Sequence, residues 1–406
     1  MRETDARVTV VGIGADGTPG LSPAADQALR AADVVMGSAR QLAALGDGVA
    51  AERLSWPSPM LDGLTSLLAE NADRRVCVLA SGDPMFFGVG GTLVRLLGPE
   101  RVHVIPHPSS ASLACGRMGW ALDKVDVVSL VGRPLETLHP WVQPGRRVLV
   151  LSSDGRTPAS VAALLAERGC GDSELSVLEQ LGGPDERRLD GVAGEWPHAE
   201  VGPLNVIAID VRPEPGAPLL PRAPGLPDDA FEHDGQLTKR EIRAITLSRL
   251  APVPGQLLWD VGAGAGSIGI EWMRSHPACR AIAVEAHAER AARCGRNAAA
   301  LGVPGLDVVT GSAPGALRDL ERPDAVFVGG AVTVPGVVQT CWDALAPGGR
   351  MVVNAVTLES EAVLADWYER LGGELVRTAI SRGSPVGKFT GWRAMMPVTT
   401  WKVSKR

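Results

Sequence analysis

The sequence predicts an α/β protein of two domains, and three observations carry that prediction. First, an apolar run, Leu257-Leu-Trp-Asp260, leads into a turn with glycine at every second position, Gly262, Gly264 and Gly266. A second apolar run, Ala281-Ile-Ala-Val-Glu285, follows a helix-compatible stretch, which is the grammar of a βαβ unit built to hold a nucleotide-like ligand. Second, strand-like runs alternate with helix-compatible segments along both halves, so each half should form sheet covered by helices. Third, six prolines lie between Val211 and Pro227 with no apolar periodicity. Proline fixes φ and removes a donor, so residues 211–227 are expected to be an extended, semi-rigid spacer between domains 1–210 and 228–406.

The N-terminal half opens with strand Val8-Thr-Val-Val11 and the turn Gly12-Ile-Gly14-Ala-Asp-Gly17. Ser22-Pro23 supplies an N-cap and first-turn proline for a helix to about Ala32, and Asp33–Met36 resumes as strand. Val76–Ala80 reads as strand, Ser81–Pro84 as turn, and Gly90–Leu97 as helix closed by Gly98. Further strands are predicted at Val102–Ile105, Val125–Leu130, Val148–Leu151 and Val206–Val211, with a helix from about Thr157 to Arg168. The alternation predicts a largely parallel sheet. In the C-terminal half, strands are predicted at Asp307–Thr310, Ala325–Gly329 and Gly349–Asn354. Two closing runs, Glu374–Ser381 and Gly391–Val403, are joined through a Gly/Pro-containing turn. That pattern predicts a doubly wound sheet with a terminal antiparallel hairpin.

Composition excludes several function classes. Hydrophobic residues make up 45% and charged residues 21%, so both halves can bury a core. A net charge of −6 argues against a general nucleic-acid binder, and one Tyr with five Phe leaves little for stacking on single strands. The six cysteines have no zinc-ligand spacing and read as buried thiols in a reducing compartment. His103 and His107 lack a helix-borne acidic partner, so no metal site is expected. No run of 18 apolar residues occurs, and a cytoplasmic chain with no membrane partner is expected.

The glycine turn admits two ligands. Gly264-x-Gly266-x-x-Gly269 is the spacing of a dinucleotide fingerprint, whose bare amides receive a pyrophosphate. Asp260-x-Gly262-x-Gly264-x-Gly266 also resembles the first motif of the class I methyltransferases, which bind S-adenosylmethionine. A carboxylate just before the turn suits a ligand bearing an ammonium group and repels phosphates, so Asp260 favours the second reading. Asp260 then binds the cofactor or supports the loop. Glu285, ending the second strand, is placed to accept both hydroxyls of a ribose.

Several ordered motifs in the first half resemble the class III, or tetrapyrrole, methyltransferase family. They are Val10-Val-Gly12-Ile-Gly14-Ala-Asp-Gly17, Ala80-Ser-Gly82-Asp83-Pro84-Met-Phe-Phe-Gly88, Ile105-Pro-His-Pro-Ser-Ser110-Ala-Ser-Leu-Ala114 and Ser129-Leu-Val-Gly132-Arg133. The resemblance implies a pair of α/β subdomains with S-adenosylmethionine in the cleft between them. It makes Gly82, Asp83, Ser110 and Ala111 cofactor-site candidates. Gly12 and Gly14 then face the substrate trough, or simply end a strand. His107-Pro108 stands where relatives commonly carry Pro-Gly.

Leu226-Pro-Asp-Asp-Ala-Phe231, Leu237-Thr238-Lys-Arg-Glu241-Ile-Arg243, Gly311-Ser312-Ala313-Pro314 and Phe327-Val-Gly-Gly-Ala331 accompany the first motif of the second half. Together they resemble the class I decarboxylating precorrin methyltransferases, which implies cofactor contacts from Thr238, Gly262, Gly264, Gly266, Glu285, Ser312 and Ala313. Many relatives have an acid where Ser312 stands. Both resemblances on one chain imply a bifunctional enzyme of cobalamin biosynthesis with two S-adenosylmethionine sites. It would methylate reduced precorrin-6 at C-5 and C-15, remove the ring C acetate carboxyl and give precorrin-8. A fusion acting on another tetrapyrrole or small molecule stays open, and both families imply a homo-oligomer.

An anionic tetrapyrrole calls for basic residues. From Leu375 to Arg406 there are seven Lys or Arg and no Asp or Glu. Arg382 and Lys388, in the Gly/Pro-rich turn, and Arg133, after Gly132, are the candidate substrate contacts, because arginine grips a carboxylate through two parallel hydrogen bonds. A solvated hairpin and a structural salt bridge are the alternatives. No catalytic triad or metal constellation stands out, and the catalytic residues stay unassigned.

Overall fold

Val8-Thr-Val-Val starts strand β1 (Val8–Ile13) of a computed structural model that describes residues 8–56, 60–218 and 220–406; the charged N-terminal opening lies outside that range. With β2 (Val34–Gly37), β3 (Glu52–Ser55), β4 (Val76–Ser81) and β5 (Val102–Ile105) it forms a parallel sheet in the order β3-β2-β4-β1-β5. Buried clusters cover both faces of this sheet, one around Val10, Met36 and Val78 and the other around Val11, Val35 and Leu79. That two-sided burial explains why its strands read as continuous apolar runs. The predicted caps form: Ser22 Oγ accepts the Ala25 amide at 3.2 Å ahead of helix Pro23–Ala31, and Gly98, at φ 88°, ends helix Val89–Leu97.

A second sheet holds β6 (Asp126–Ser129), β7 (Arg147–Leu151), β8 (Glu174–Glu179), β9 (Arg187–Val192) and β10 (Asn205–Asp210), in the order β6-β7-β10-β8-β9. Only β6 and β7 pair in parallel, so the single largely parallel sheet expected for this half is corrected to one parallel and one mostly antiparallel sheet. The cause is β9 and β10: β10 runs antiparallel between β7 and β8, and β9 pairs antiparallel with β8. β9 is an edge strand of mostly exposed residues whose polar composition hides it from hydrophobic periodicity.

The other sheet has seven strands: β11 (Leu257–Val261), β12 (Arg280–Glu285), β13 (Asp307–Thr310), β14 (Ala325–Val328), β15 (Arg350–Ala355), β16 (Glu374–Thr378) and, closing the chain, β19 (Val398–Ser404). Its order is β13-β12-β11-β14-β15-β19-β16; the first five run parallel and β19 antiparallel between β15 and β16. Leu257, Trp259 and Val261 enter one core and Leu258 the other, as a strand buried on both faces requires. The terminal antiparallel pair is thus β16 with β19, and the chain between them forms a separate two-stranded hairpin, β17 (Ser381–Val386) with β18 (Phe389–Ala394).

These sheets belong to two compact units. The first runs through Arg133 and resumes at Pro144–Pro218; the second takes Pro134–Gln143 and continues through Arg406. Among the described residues, the proline segment carries no helix or strand between Val211 and Pro227. It is anchored along its length instead of crossing free solvent. Arg212 N–H donates to Ser173 Oγ at 3.0 Å and Glu214 N–H to Gly169 O at 2.7 Å in the first unit. In the second, Leu226 is 0% exposed, and Gly225 and Leu226 amides donate to Glu271 at 2.6 and 2.9 Å.

Candidate functional site

In a doubly wound sheet a ligand crevice opens at the carboxyl ends of the strands where the order reverses. Here that point lies between β11 and β14, and a cavity of about 620 Å³ occupies it. Gly262, Gly264, Glu285, Thr238 and Ala313 line the cavity, together with Phe327 and Gly330. Glycine is required at the turn. Gly262 has φ 73°, and a Cβ there would stand 2.9 Å from Gly330 Cα; Gly264 has φ 60°, and its Cβ would stand 2.9 Å from Gln236 O. Gly266 sits one step back as the N-cap of helix Ser267–Ser275, at φ 77°. Ser312 is exposed beside the lining, not in it.

Two carboxylates organise the turn. Glu285 Oε2 accepts the Gly264 amide at 2.9 Å and Oε1 accepts the His287 amide at 3.0 Å, so its oxygens face the cavity already oriented. Each still has lone-pair capacity for a ribose hydroxyl. Asp260 stands behind the turn, outside the lining, with Oδ2 accepting the Gly269 amide at 2.9 Å. It is 1% exposed, and burial first, with the nearby Glu285 charge adding to it, pushes its pKa up to about 7. Burial, with the charges of Asp260 and Glu285, also pushes the neighbouring Cys294 thiol to about 12.

The first unit encloses a cavity of about 470 Å³ where its loops converge beyond the strand ends. Gly82 N–H donates to Ile13 O at 3.0 Å, and Gly82 has φ 63°. A Cβ on Gly12 would meet Gly82 O at 2.2 Å and His107 N at 2.6 Å, so Gly12 is glycine because three loops cross there. Gly14, Gly82 and Ser110 line the cavity; Gly12 and Ala111 do not, the latter being 0% exposed in the core. Asp83 lies outside the lining and steadies its own loop, with Oδ1 accepting the Met85 amide at 2.8 Å. Arg133 follows β6 in a turn and stacks over the Phe87 ring at 5.7 Å instead of forming an ion pair among the described residues.

The expected turn position of Arg382 is corrected: it lies within β17, and its guanidinium donates to Glu241 at 2.5 Å and to Asp228 at 3.3 Å. Lys388 is at the exposed tip of the β17–β18 hairpin, and neither residue lines a described cavity. Met395 and Met396, just past the hairpin, do line the second cavity. Sequence reasoning also missed Asn354, which lines it and bonds Thr246 and Thr400 at 2.9 and 2.8 Å. A lone polar residue closing the apolar run Met351-Val-Val was the available signal. Arg40 and Gln41, lining the first cavity, gave none. Among the described residues no three His, Cys, Asp or Glu side chains converge on a metal position, and no helix is long and apolar enough to cross a membrane.

Two family models match: a precorrin methyltransferase domain over residues 229–405 and the tetrapyrrole (corrin/porphyrin) methylases over residues 7–197. A precorrin-6Y C(5,15)-methyltransferase (decarboxylating) from a Sinorhizobium species is 50% identical over 398 residues, covering 98% of this chain and 96% of that one. A protein of the same description from Mycobacterium tuberculosis is 52% identical over 403 residues, covering 98% of this chain and 100% of that one. Among solved structures, the C-terminal domain of precorrin-6Y C5,15-methyltransferase from Rhodobacter capsulatus is 43% identical, with a TM-score of 0.44, covering 46% of this chain and 100% of that one. The chain belongs to the family of decarboxylating precorrin-6Y C(5,15)-methyltransferases.

Proposed function

We propose that this chain uses S-adenosylmethionine to methylate reduced precorrin-6 at C-5 and C-15 and removes carbon dioxide from its ring C acetate, giving precorrin-8. The observation that carries this reading is a separate cavity in each unit of a chain half-identical to such enzymes over nearly its whole length. We assign C-5 to the first unit, and C-15 with decarboxylation to the second, following the two families that the halves resemble. Six buried free cysteines suit a cytoplasmic enzyme, and the same resemblance favours a homo-oligomer.

The second cavity fits the cofactor because its glycine turn packs against the backbone of Gly330 and Gln236, closer than a Cβ allows, and lines the cavity beside the Glu285 carboxylate. Gly262 and Gly264 would bring bare backbone to it, Glu285 would hold the ribose, and Thr238 and Ala313 would flank it, with Asp260 and Gly266 supporting the loop. In the first cavity Gly82 and Ser110 would contact it, backed by Asp83 and Ala111. When bound, S-adenosylmethionine supplies an electrophilic methyl group on sulfur. The chain's residues orient the macrocycle carbon and exclude water, and such alignment is worth up to about 7–11 kcal/mol. An enamine-like carbon needs no strong base, so a buried Asp260 outside the lining is no loss to the chemistry. For decarboxylation the protein fixes the other carboxylates while the departing one meets apolar lining such as Phe327 and Met396.

Calorimetric titration of the full chain with S-adenosylhomocysteine should count two equivalents. Gly264→Val should abolish one and Gly82→Val the other, since both positions have positive φ. One equivalent for the wild-type chain, or uptake of a nicotinamide dinucleotide in its place, defeats the proposal.

A further inference from the structure

Many arginines of the first unit are matched to carboxylates: Arg30 to Asp26, Arg75 to Asp33, Arg117 to Glu186 and Arg187 to Glu179. Arg40 is different. It lines the first cavity with its side chain partly exposed, and among the described residues no carboxylate lies within ion-pair distance of it. Its guanidinium donates instead to Ser81 Oγ at 2.7 Å.

Ser81 is itself doubly engaged, because its Oγ also accepts from Gln41 Nε2 at 3.0 Å. A hydroxyl has two lone pairs and one proton, so with both lone pairs occupied the proton of Ser81 is left to donate. Gln41 is held in turn: its Oε1 accepts the Ser38 amide at 2.8 Å, as one half of the capping box that opens helix Ala39–Ala43. Ser38, Arg40, Gln41 and Ser81 all line the cavity. The result is a wall of fixed donors, one of them charged, with no anionic acceptor supplied by the protein. An accessible guanidinium that no protein carboxylate occupies is complementary to a planar anion that takes parallel hydrogen bonds.

We propose that Arg40 and Ser81 form a carboxylate receptor in the first cavity. The carboxylate comes from an acidic side chain of the macrocycle or from the amino-acid end of the cofactor, and the inference rests on the methyl-transfer reading given above. In the second cavity the lining arginine, Arg290, is taken by Asp234 at 2.8 Å, and Lys239 is the lining cation with no ion pair among the described residues. The receptor gives the first cavity its own means of orienting a carboxylated ligand.

The test uses the full chain with Arg40→Gln, Arg40→Lys and Ser81→Ala. Three quantities are measured: the KM of the macrocycle for C-5 methylation, the affinity for S-adenosylhomocysteine by calorimetry, and C-15 methylation with carbon dioxide release as an internal control of folding. Arg40→Gln should weaken one of the first two at least tenfold, as loss of a charge-assisted bond does. Ser81→Ala should weaken the same quantity by about threefold, and Arg40→Lys should recover part of the loss, while the control reaction is unchanged. A loss confined to the macrocycle assigns the carboxylate to the substrate; one confined to S-adenosylhomocysteine assigns it to the cofactor. Arg40→Gln within twofold of wild type on both measures, with C-5 methylation intact, overturns the receptor alone. Absence of C-5 methylation from the wild-type chain overturns the functional reading and the receptor with it.

Discussion

At Asp260 one carboxyl oxygen takes the Gly269 amide and the other has no hydrogen-bond partner among the described residues, although the residue is 1% exposed. Because burial raises its pKa from 3.8 to about 7, the folded chain holds a proton that the unfolded chain releases. The stabilisation from this group is therefore complete below about pH 4, declines as pH rises, and is gone above about pH 7. The difference corresponds to at most about 4 kcal/mol. Asp260→Asn keeps an acceptor for Gly269 and removes the proton, so the denaturation midpoint of the wild-type chain should fall relative to this variant between pH 5 and 8. Parallel pH profiles for the two would refute it. The sequence left this residue between binding the cofactor and supporting the loop, and its bond from the Gly269 amide shows the loop support. Arg40 was not legible, since its meaning comes from Ser81, which is 41 positions away in sequence and reached only through the fold.

Among the elements, the β17–β18 hairpin was the least legible. Gly383, Pro385 and Gly387 read as one loose turn, whereas only Gly387 and Lys388 separate the paired Val386 and Phe389. Gly387 has φ 61°, which a two-residue hairpin loop demands and glycine supplies. The flanking runs were legible because Val398, Thr400 and Trp401 bury themselves against the sheet, but the hairpin residues are largely exposed, Trp392 at 82%. With so little burial, the hairpin depends on its polar tie. Arg382→Ala, which cuts the links to Asp228 and Glu241, should speed amide exchange across residues 381–394 while changing overall stability by less than about 1 kcal/mol, since the pair is partly exposed. Unaltered exchange in that segment would show that the tie does not hold the hairpin.

Across the whole chain, a two-domain α/β fold was legible, but the return of residues 134–143 to the second unit was not, nor was the mechanical role of the proline segment. Proline content dominates any reading of residues 211–227 and obscures the lone apolar side chains that anchor it: Val211 is 1% exposed and Leu226 0%. Leu226 packs in the core with Leu247, Leu250 and Trp272, while its amide and that of Gly225 engage Glu271. Glu271 is 2% exposed and also pairs with the fully buried Arg243 at 2.6 Å, so the segment closes a buried ionic network. If the segment were slack, neither apolar residue would matter to stability. Its anchoring predicts that Leu226→Ala destabilises the second unit by about 2–5 kcal/mol and Val211→Ala the first by a smaller amount. Amide exchange resolved by strand reads this directly: Leu226→Ala should accelerate β11 and β14 and leave β1 and β4 unchanged, whereas Val211→Ala should accelerate β7 and β10 and leave β11 unchanged. Wild-type exchange in all of these strands for both variants would mean that the prolines do no more than span a gap. A response of both units to either variant would mean that the segment transmits stability from one core to the other.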